Sequence, residues 1–536
     1  MTSAIVDAEG ANDRMPVLVA GCWRQATIVD TFRATDPNTN TLLSEQWPVS
    51  GWGDVDAALD AATEAARVLS HLPGERLAAF LERYASRLET IGDELVQLAH
   101  RETGLAVRPR LAEAELPRTL DQLRQAAASA RDEGWRMVSI DPPRNLRAAS
   151  FGIGPVVVFP PANFPLAYGC LTGGDFAAAI AAGNPVIAKS HPWSPSVSRR
   201  AAEEALAALG ECDLPMATVQ LLHGMEPADG ERLVADRRVG ATGFTGGQAA
   251  GMRLFKAASA AGKVIWVEMG SLNPVVLLPH ALAERAERIV DELTASATGS
   301  AGQFCTKPGI VFFIDGGEHR RAAEAFVQGM KKRFDAMAPQ VLLGPAGRER
   351  LVQAIAKLEE AGARRLSAAR SSQGCVHPPT LLETTAAEIL DDPEGLLVEA
   401  FGTATVLVRS SSLVELARAL SVVKGSLSAS LYTSTDGRDG EAVGTILPLI
   451  LERAGRIIEN RMPTGLAVSP AMQHGGPWPS AGPPFFSAVG FPWTIQRFAR
   501  RICFDGLTGG LLPPCVRDEP PPHRPWRFIA GEWVRN

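Results

Sequence analysis

Residues 155–189 have the sequence PVVVFPPANFPLAYGCLTGGDFAAAIAAGNPVIAK, and they indicate the fold class of the whole chain. The apolar runs Pro155–Pro160 and Asn184–Lys189 are short and predict strands. The longer apolar segment between them, Phe164–Ala182, predicts a helix. A strand, a helix and a strand at such short spacing are typical of a parallel sheet with helices on its faces.

The alternation of strands and helices continues along the chain. It predicts a doubly wound α/β sheet, whose ligands bind at the carboxyl ends of the strands, and a second α/β domain after Asn273. The other helices that we expect are Asp54–Leu69, Gly74–His100, Leu111–Arg131, Pro195–Leu209, Ala281–Thr298 and His319–Phe334. The other strands are Val219–Leu222, Lys263–Glu268, Val275–Leu278, Ala404–Val408 and Ser428–Thr433.

Composition excludes several classes of protein. The chain has 536 residues, of which 46% are hydrophobic and 21% charged, and its formal charge is −6. This acidic balance argues against nucleic-acid binding, which needs a basic face, and no apolar run has the length of a membrane span. Seven cysteines without a CxxC pair argue against disulfides and a metal site, so we expect a cytoplasmic protein. Residues 1–16 lack an apolar core and predict a disordered leader, not a signal peptide.

The segment Gly302–Gly309, GQFCTKPG, contains one cysteine among polar residues and glycines. A structural thiol usually has branched apolar neighbours, whereas Cys305 has Gln, Thr and Gly nearby, which makes it a candidate nucleophile. Taken alone, a core cysteine before the apolar run Ile310–Ile314 is the simpler interpretation. The choice between a nucleophile and a core cysteine depends on the other motifs of the chain.

Four polar stretches follow predicted strands. Asn163 can direct an amide N–H at an oxyanion or can cap a helix. Lys189 ends a strand and either faces a ligand or is solvated. Glu268 also ends a strand, as a general base or as a partner in a cap or an ion pair. Phe244–Gly247, FTGG, offers backbone N–H groups to a phosphate, although this short motif is weak evidence by itself.

Together with Glu399 in EAFG, these residues resemble the aldehyde dehydrogenase superfamily in their order and spacing, over about residues 17–505. The resemblance is strongest to the α-ketoglutaric semialdehyde (2,5-dioxopentanoate) dehydrogenase branch, and the NADP-dependent fatty aldehyde dehydrogenases are close relatives. The motifs that carry it are NFPLA at 163–167, GGD at 173–175, EMGSLNP at 268–274, GQFCTKPG at 302–309, AMQHGGPWP at 471–479 and the run 118–124.

The resemblance implies a Rossmann-type cofactor domain, an α/β catalytic domain and a small β oligomerisation arm, in a homodimer or homotetramer. The implied division of the chain is 17–135 and 150–272 for the NAD(P)-binding domain, 273–470 for the catalytic domain, 136–149 and 485–505 for the oligomerisation strands, and 506–536 for a proline-rich tail.

The resemblance also implies roles for single residues. Cys305 attacks the aldehyde carbon, Asn163 and the Cys305 backbone N–H hold the oxyanion, and Glu268 activates water to hydrolyse the thioester. Gly302 and Gly309 are interpreted as room for the nicotinamide and the substrate beside the thiolate. The implied cofactor-binding residues are Lys189, Ser190, His191, Phe244, Thr245, Gly246, Gly247, Gly270, Glu399 and Phe401. The implied substrate pocket consists of Phe164, Tyr168, Gln303, Phe304, His474 and Trp478.

Two departures from the family pattern bear on the cofactor. The serine that is usual in the FTGS motif is Gly247 here, which removes one hydroxyl donor and keeps the backbone N–H groups. Relatives that prefer NAD often have a glutamate three residues after the lysine, where this chain has Pro192. No carboxylate there repels a 2′-phosphate, and Ser190 or His191 can donate to it. We therefore expect NADP in preference to NAD.

The expected substrate is a small semialdehyde such as 2,5-dioxopentanoate, and a medium- or long-chain fatty aldehyde is the alternative. Acyl transfer to coenzyme A is disfavoured, because relatives with that activity generally lack a carboxylate like Glu268. A catalytically impaired structural relative is a further alternative, which Gly247 and the added tail suggest.

The tail from Leu511 contains Pro513-Pro514 and Pro520–Pro522, which predict a stiff, extended segment. Its last part, FIAGEWV at 528–534, is similar to LVAGCWR at 18–24. If this similarity is structural, the tail packs as an extra edge strand or on a neighbouring subunit.

Overall fold

The structure is a computed structural model that describes residues 14–370 and 373–535. Most of the disordered leader predicted for residues 1–16 therefore lies outside the described residues. Its last three residues are described, and they are held by backbone contacts, since the Met15 N–H donates to the Gln46 carbonyl oxygen at 2.8 Å.

The strands are short. In chain order they are β1 Val17–Val19, β2 Cys22–Arg24, β3 Ile28–Phe32, β4 Thr35–Asp36, β5 Thr41–Leu42, β6 Trp47–Ser50, β7 Ser139–Asp141, β8 Leu146–Gly152, β9 Val156–Phe159, β10 Val186–Lys189, β11 Val219–Leu222, β12 Gly224–Met225, β13 Ala241–Thr245, β14 Val264–Glu268, β15 Val275–Leu277, β16 Ile310–Ile314, β17 Gln340–Val341, β18 Arg364–Arg365, β19 Val376–His377, β20 Thr380–Thr385, β21 Ala404–Ser410, β22 Ser426–Tyr432, β23 Ala454–Glu459, β24 Ala481–Gly482, β25 Ala499–Asp505, β26 Arg527–Ile529 and β27 Glu532–Val534.

The α-helices pack on the faces of the sheets. They are α1 Trp52–Leu69, α2 Gly74–Thr90, α3 Gly92–Thr103, α4 Leu116–Asp132, α5 Gly174–Ala181, α6 Pro195–Glu211, α7 Pro227–Ala235, α8 Gln248–Ala260, α9 Pro279–Thr298, α10 Arg320–Ala336, α11 Pro345–Glu360, α12 Ala386–Asp391, α13 Pro393–Leu396, α14 Leu413–Ser421 and α15 Gly440–Leu451. No helix within the described ranges is long and apolar enough to cross a membrane.

The first large sheet has the strand order β2-β1-β11-β10-β9-β13-β14-β24. Its central strands β11, β10, β9, β13 and β14 are parallel, and a helix lies between each of them and the next along the chain. In this register Phe159 lies beside Phe244, and Thr245 lies beside Glu268. The carboxyl ends of these strands therefore meet at one edge, where doubly wound sheets bind ligands.

The helix predicted over Phe164–Ala182 is much shorter in the structure, since α5 begins only at Gly174. The preceding residues form turns instead, and Glu115 holds them in that shape. Its carboxylate accepts the backbone N–H groups of Leu166 at 2.8 Å and Ala167 at 3.0 Å. The prediction was wrong because an apolar run that is buried all round has no face from which a helix can be distinguished. The single helix predicted over Gly74–His100 is likewise two helices, α2 and α3, with a break at Ile91.

The second large sheet has the order β18-β20-β21-β16-β15-β22-β23. All of its neighbouring pairs are parallel except β18 with β20. β15 and β16 are adjacent in its centre, and the Cys305 segment leads directly into β16. The segment therefore lies at the start of a central strand of this sheet. Its Cys305 lines the same cleft as the carboxyl ends of the strands of the first large sheet.

A third sheet of five strands has the order β25-β8-β7-β26-β27. It differs from the predicted oligomerisation strands in its limits, because β8 extends to Gly152 and only 499–505 of the later segment is a strand. The tail is also more structured than predicted. β26 and β27 form a hairpin, and β26 pairs in parallel with β7, so the tail adds two strands to this sheet.

The sequence similarity between the two ends of the chain corresponds to one structural motif. β1 and β2 are joined through Ala20 and Gly21 at φ of 55° and 77°, and β26 and β27 through Ala530 and Gly531 at φ of 52° and 92°. Two residues with positive φ between paired strands are typical of a type I′ hairpin. Of the two predicted placements, the tail adopts the edge strand within its own chain.

Candidate active site

Cys305 lies in a loop between a tight turn, Gly299–Gly302, and β16. Ser300, Ala301 and Gly302 all have left-handed backbone conformations, with φ of 49°, 57° and 67°. For residues other than glycine this conformation costs on the order of 1–3 kcal/mol, so the surrounding structure has to impose it. The thiol thus stands on a backbone whose shape is set by its neighbours.

Asn273 is the residue that ties this loop to the second sheet. Its side chain is fully buried, and its amide donates to the carbonyl oxygens of Cys305 at 2.8 Å and Lys307 at 3.0 Å. Its own carbonyl oxygen accepts from the hydroxyls of Ser271 and Ser428. A buried amide with every hydrogen bond satisfied rigidifies its surroundings, so Asn273 fixes the position of the Cys305 backbone relative to β15.

His474 and Glu268 complete a cluster around the thiol. His474 Nε2 lies 3.2 Å from Cys305 Sγ and 3.0 Å from Glu268 Oε1. The donor atoms of the three residues lie within 4.8 Å of one another. His474 reaches this place because β24 pairs antiparallel with β14, with Ala481 opposite Glu268. His474 was predicted to line the substrate pocket. In the structure it lies within hydrogen-bond distance of the Cys305 thiol and does not line the second cavity described below.

The charge of the imidazole follows from its neighbours. Burial by itself disfavours the imidazolium, but the carboxylate of Glu268, with smaller contributions from Tyr168 and Cys305, raises the pKa of His474 well above its usual value. At neutral pH His474 is therefore a cation placed between a carboxylate and a thiol. Such a cation favours the thiolate form of the cysteine, which is the nucleophilic form.

Asn163 lies beside this cluster and is buried. Its Nδ2 donates one proton to the Gln303 carbonyl oxygen at 3.0 Å and retains a second proton. Its backbone carbonyl oxygen accepts from Arg110 Nη2 at 2.8 Å. The Cys305 N–H has no acceptor among residues 14–370 and 373–535. Both donors of the expected oxyanion site are thus present and not fully used.

Arg110 and Glu115 hold the Asn163 segment from behind. The two side chains form an ion pair in which Glu115 is fully buried. The carboxylate also accepts the two backbone N–H groups after Asn163, as described above, so its lone pairs are satisfied. Breaking such a buried pair typically costs about 3–5 kcal/mol. The sequence alone does not reveal this pair, because nothing in RPRLAEAE shows which charges are buried.

A large cleft of about 880 Å³ opens at the carboxyl edge of the first sheet. Strand ends line it, including Lys189, Thr245 and Glu268, and Cys305 closes its inner end. The N-terminus of α8 points into the cleft after Gly247, whose backbone conformation is ordinary, with φ of −68°. A Cβ added to Gly247 would have no neighbour within 4 Å. Exposed N–H groups and open space at a helix N-terminus fit the phosphates of a dinucleotide.

All ten predicted cofactor residues line this cleft. Its walls include Lys189, Ser190, His191, Phe244, Thr245, Gly246, Gly247, Gly270, Glu399 and Phe401. Glu399 accepts from the Ser271 N–H at 3.2 Å, and it packs on Gly270 so closely that a Cβ there would lie 2.2 Å from its Oε2. Lys307 donates to the carbonyl oxygens of Ala400 and Ala404, so it joins the Glu399 loop to the Cys305 loop.

Ser190 and His191, of which one or the other was expected to donate to a 2′-phosphate, have less donor capacity than that expectation assumed. The Ser190 hydroxyl is fully buried and engaged at His223, with the carbonyl oxygen at 3.2 Å and Nδ1 at 3.3 Å. Burial lowers the pKa of His191 to about 3, so its imidazole is neutral and offers at most one N–H. Sequence analysis missed Arg350, whose guanidinium lies 5.3 Å from the Trp193 ring and lines the same part of the cleft.

A second cavity, of about 400 Å³, lies on the other side of Cys305 and is called here the aldehyde cavity. Cys305 is the one residue that lines both spaces in the described part of the chain. Phe164, Tyr168 and Phe304 form its aromatic wall, with Phe164 5.4 Å from Tyr168 and 5.8 Å from Phe304. These three predicted pocket residues are therefore brought together.

Two other predicted pocket residues lie elsewhere. Trp478 is 46% exposed and packs on Phe255, 4.9 Å away, outside the aldehyde cavity. Gln303 supports the backbone, because its Oε1 accepts the Leu343 N–H and its Nε2 donates to the Ser300 carbonyl oxygen. Both were assigned to the pocket from their place in a motif, and motif neighbours point in different directions along an irregular chain.

The interpretation of Gly302 and Gly309 is also wrong. A Cβ at Gly302 would lie 2.2 Å from the Gly402 carbonyl oxygen, and one at Gly309 would lie 2.9 Å from that of Leu272. These glycines allow two backbone segments to touch, whereas the prediction reserved their space for ligands.

The sequence of the chain is similar to that of known proteins of one family. The sequence pattern of the Aldehyde dehydrogenase family matches residues 23–480. The chain is 36% identical over 526 residues to alpha-ketoglutaric semialdehyde dehydrogenase 2 of Azospirillum brasilense, with 94% of this chain and 97% of that protein covered. It is 31% identical over 524 residues to the alpha-ketoglutaric semialdehyde dehydrogenase of Acinetobacter baylyi, with 95% and 97% covered.

Solved structures agree on the fold. The lactaldehyde dehydrogenase of Escherichia coli superimposes with a TM-score of 0.77 at 22% identity, and the match covers 92% of this chain and 98% of that one.

Proposed function

Because the chain belongs to the aldehyde dehydrogenase family, we propose that it oxidises its aldehyde through covalent intermediates on Cys305. The observation that carries this proposal is the position of the thiol, which lies 3.2 Å from the His474 imidazole and lines both the cofactor cleft and the aldehyde cavity. A nucleophile must reach its substrate from one side and present the reacting carbon to the cofactor on the other.

The first step is attack of the thiolate on the aldehyde carbon. His474 stabilises the thiolate, and the new C–S bond converts the carbonyl oxygen into an oxyanion. The free proton of the Asn163 amide and the unused Cys305 N–H are the donors for that oxygen. Loss of one such donor typically costs about 3–4 kcal/mol of transition-state stabilisation.

Oxidation and hydrolysis complete the reaction. NAD(P) held in the cleft, by residues that include Lys189 and Glu399, would supply the acceptor for the hydride that leaves the substrate carbon. Loss of that hydride would convert the thiohemiacetal on Cys305 into a thioester. Glu268 then takes a proton from water, which adds to the thioester carbon, and the C–S bond breaks to release the acid and the thiolate. His474 Nε2 lies 3.0 Å from Glu268 and 3.2 Å from Cys305 Sγ, so the imidazolium can donate a proton to the carboxylate or to the thiolate.

The substrate that we propose is a small semialdehyde, with 2,5-dioxopentanoate as the first choice. Two relatives at 36% and 31% identity over most of the chain carry the name of an α-ketoglutaric semialdehyde dehydrogenase. The aldehyde cavity of about 400 Å³ is in the range of pockets for small ligands. A fatty aldehyde remains the second candidate of the sequence analysis, and the test below includes it.

We also propose that NADP is preferred over NAD. Pro192 stands where relatives that prefer NAD often have a glutamate, and Arg350 lines this region beside Trp193. Burial lowers the pKa of Lys189 to about 8, so this lysine is still mainly protonated at neutral pH and adds positive charge. The pair Lys189 and Arg350 replaces the predicted Ser190 hydroxyl as the support for this preference.

The test is a steady-state assay of the full-length protein with NADP and with NAD. The aldehydes are 2,5-dioxopentanoate, succinic semialdehyde, glutaraldehyde, hexanal and dodecanal. We expect the highest kcat/KM for 2,5-dioxopentanoate with NADP, and no increase on adding coenzyme A. A higher value for dodecanal would replace the semialdehyde proposal, and a higher value with NAD would reject the cofactor preference.

For the remaining organisation we propose the division expected from the sequence, with cofactor and catalytic domains and a homodimer or homotetramer formed through the five-stranded sheet. The exposed edge strands β25 and β27 support it, since unpaired edges favour pairing with another chain. All seven cysteines are free, which supports the cytoplasm as the compartment.

A further inference from the structure

Arg118, on α4, contributes a guanidinium group to the wall of the aldehyde cavity, on the far side from the cofactor cleft. Its Nη2 donates to the Tyr168 hydroxyl at 3.0 Å. Its Nε and Nη1 have no acceptor among residues 14–370 and 373–535, and Nε is buried. A guanidinium group normally uses most of its donors when it is partly buried, so Arg118 has hydrogen-bonding capacity that the protein does not use.

Arg118 also lacks a counter-ion. Within the described residues no carboxylate lies within the 4.0 Å of an ion pair with Arg118. The other arginine of the cavity, Arg110, is neutralised by Glu115. Asp121 lies at the rim, where it accepts from Gln125 at 2.7 Å. The positive charge of Arg118 therefore has no carboxylate partner in the wall of the cavity, and an apolar aldehyde would not provide one.

The surroundings hold this guanidinium without consuming its donors. Its carbon atom lies 5.0 Å from the centre of the Tyr168 ring and 5.8 Å from that of Phe164. Burial raises the pKa of Tyr168 to about 12, so the phenol keeps its proton at physiological pH. The phenol oxygen accepts from Arg118, and its O–H proton remains free to be donated to a ligand.

We propose that Arg118, together with the Tyr168 hydroxyl, binds a carboxylate at the far end of the aldehyde substrate and so determines the preference for semialdehydes. This inference rests on the proposed function and assigns its substrate class to a residue. Arginine suits the role because its planar donors match the two oxygens of a carboxylate. Cys305 then meets the aldehyde end of the same molecule at the other end of the cavity.

The experiment compares two aldehydes of equal length, 5-oxopentanoate and pentanal, in the full-length enzyme with NADP. The variants are Arg118→Met, Arg118→Lys and Tyr168→Phe. The matched control is Arg124→Met, because Arg124 lies on the same helix but is exposed and paired with Glu89 outside the cavity. Competitive inhibition by glutarate supplies a second readout, in which the carboxylate ligand itself does not react.

We expect Arg118→Met to lower kcat/KM for 5-oxopentanoate by about 10- to 100-fold, the ratio expected for a hydrogen bond to a charged group. For pentanal we expect a change of less than about 3-fold, since only the anionic end loses its partner. Arg118→Lys should retain part of the preference, Tyr168→Phe should lose less than Arg118→Met, and Arg124→Met should behave as wild type. Glutarate inhibition should weaken in parallel.

An equal loss for both aldehydes in Arg118→Met, or no loss for either, would overturn the assignment. If that variant does not fold, the wild-type enzyme still decides, because equal kcat/KM for the two aldehydes and no inhibition by glutarate would reject it. Failure of the proposed function has a different signature, since wild-type enzyme would then oxidise neither aldehyde, or the oxidation would not depend on Cys305.

Discussion

The cofactor cleft and the aldehyde cavity meet at Cys305 but are built from different parts of the protein. Strand ends and the N-terminus of α8 line the cleft, and they present backbone groups from segments that follow each other along the chain. The aldehyde cavity is lined by residues from α4 and from the segments 110–115, 164–168, 304–306 and 464–468. The first site follows from the fold itself, whereas the second depends on which side chain each segment carries.

This difference indicates which of the two sites tolerates amino-acid substitutions. A site made of backbone N–H groups keeps most of its donors when one side chain is absent, as at Gly247. A site made of side chains loses a function with each substitution. The thiol cluster between them should be the least tolerant of all, because Cys305, His474 and Glu268 act on each other at hydrogen-bond distances.

The largest expected effect is at the junction itself. Cys305→Ala should lower kcat by at least about 10⁴-fold for every aldehyde, because no other group can form the covalent intermediate. The binding of NADPH, measured by fluorescence titration, should be nearly unchanged, since the cleft is otherwise intact. Cys503→Ala, at an exposed cysteine, is the control. Substantial activity in Cys305→Ala would mean that the two spaces do not meet at a nucleophile.

Glu268→Gln should come next, with a loss of about 10²- to 10⁴-fold in steady-state rate, as is usual for a general base. Stopped-flow measurement should still show a burst of NADPH close to one per active site, because thioester hydrolysis has lost its base. The burst should be slower than in wild type, since the amide no longer raises the pKa of His474 beside the thiol. Absence of the burst would place Glu268 in the attack step as well. A steady-state rate equal to that of wild type would remove it from the mechanism.

His474→Gln tests the cation beside the thiol. The pKa of His474 is raised in the folded protein, so wild type keeps the imidazolium at neutral pH and loses it only as the pH rises well above 6.5. The variant should lose about 10- to 100-fold in kcat/KM at pH 7, and its acid limb should shift to higher pH, where the thiolate forms without help.

The pH dependence of alkylation by iodoacetamide provides the same measurement without turnover. His71→Gln, at an exposed histidine, is the control. Parallel alkylation profiles for wild type and His474→Gln would show that the imidazole does not act on the thiol, whatever its distance.

The smallest effect is expected on the cofactor side. Gly247→Ser should lower the KM for NADP by about 3- to 10-fold, because a side chain there meets no neighbour within 4 Å and adds one donor to the phosphate site. The thermal midpoint should change little, since φ at this position is an ordinary −68°. A rise in KM would indicate that the phosphates already occupy the space beside Gly247.

Local pattern was sufficient for much of the fold and for the residues at strand ends. The strand Val219–Leu222 has the predicted limits, and Lys189 and Glu268 end β10 and β14 as expected. Alternation of short apolar runs with amphipathic segments reflects burial on both faces of a parallel sheet, and each strand end is visible where the apolar run stops. The family resemblance rests on these same positions.

The two hairpins show what the local sequence pattern cannot predict. LVAGCWR and FIAGEWV form the same turn, because Ala-Gly adopts positive φ in both. Yet β1 pairs with β11 in the first sheet and is fully buried, while β26 pairs with β7 and the hairpin of β26 and β27 exposes Phe528 and Trp533. Seven similar residues specify a hairpin, and the sheet edge available nearby determines where it docks.

The chemistry of the site depends in the same way on contacts between distant parts of the chain. His474 is 169 residues from Cys305, and it reaches the thiol only because β24 pairs with the edge of the first sheet. Arg118 faces the aldehyde cavity, whereas Arg124 on the same helix faces solvent, and composition does not distinguish them. Hydrophobic periodicity encodes which residues are buried and in what element, because burial is a local free-energy preference. The partner of a buried charge is decided only by packing, because it comes from whichever segment the assembled fold places beside it.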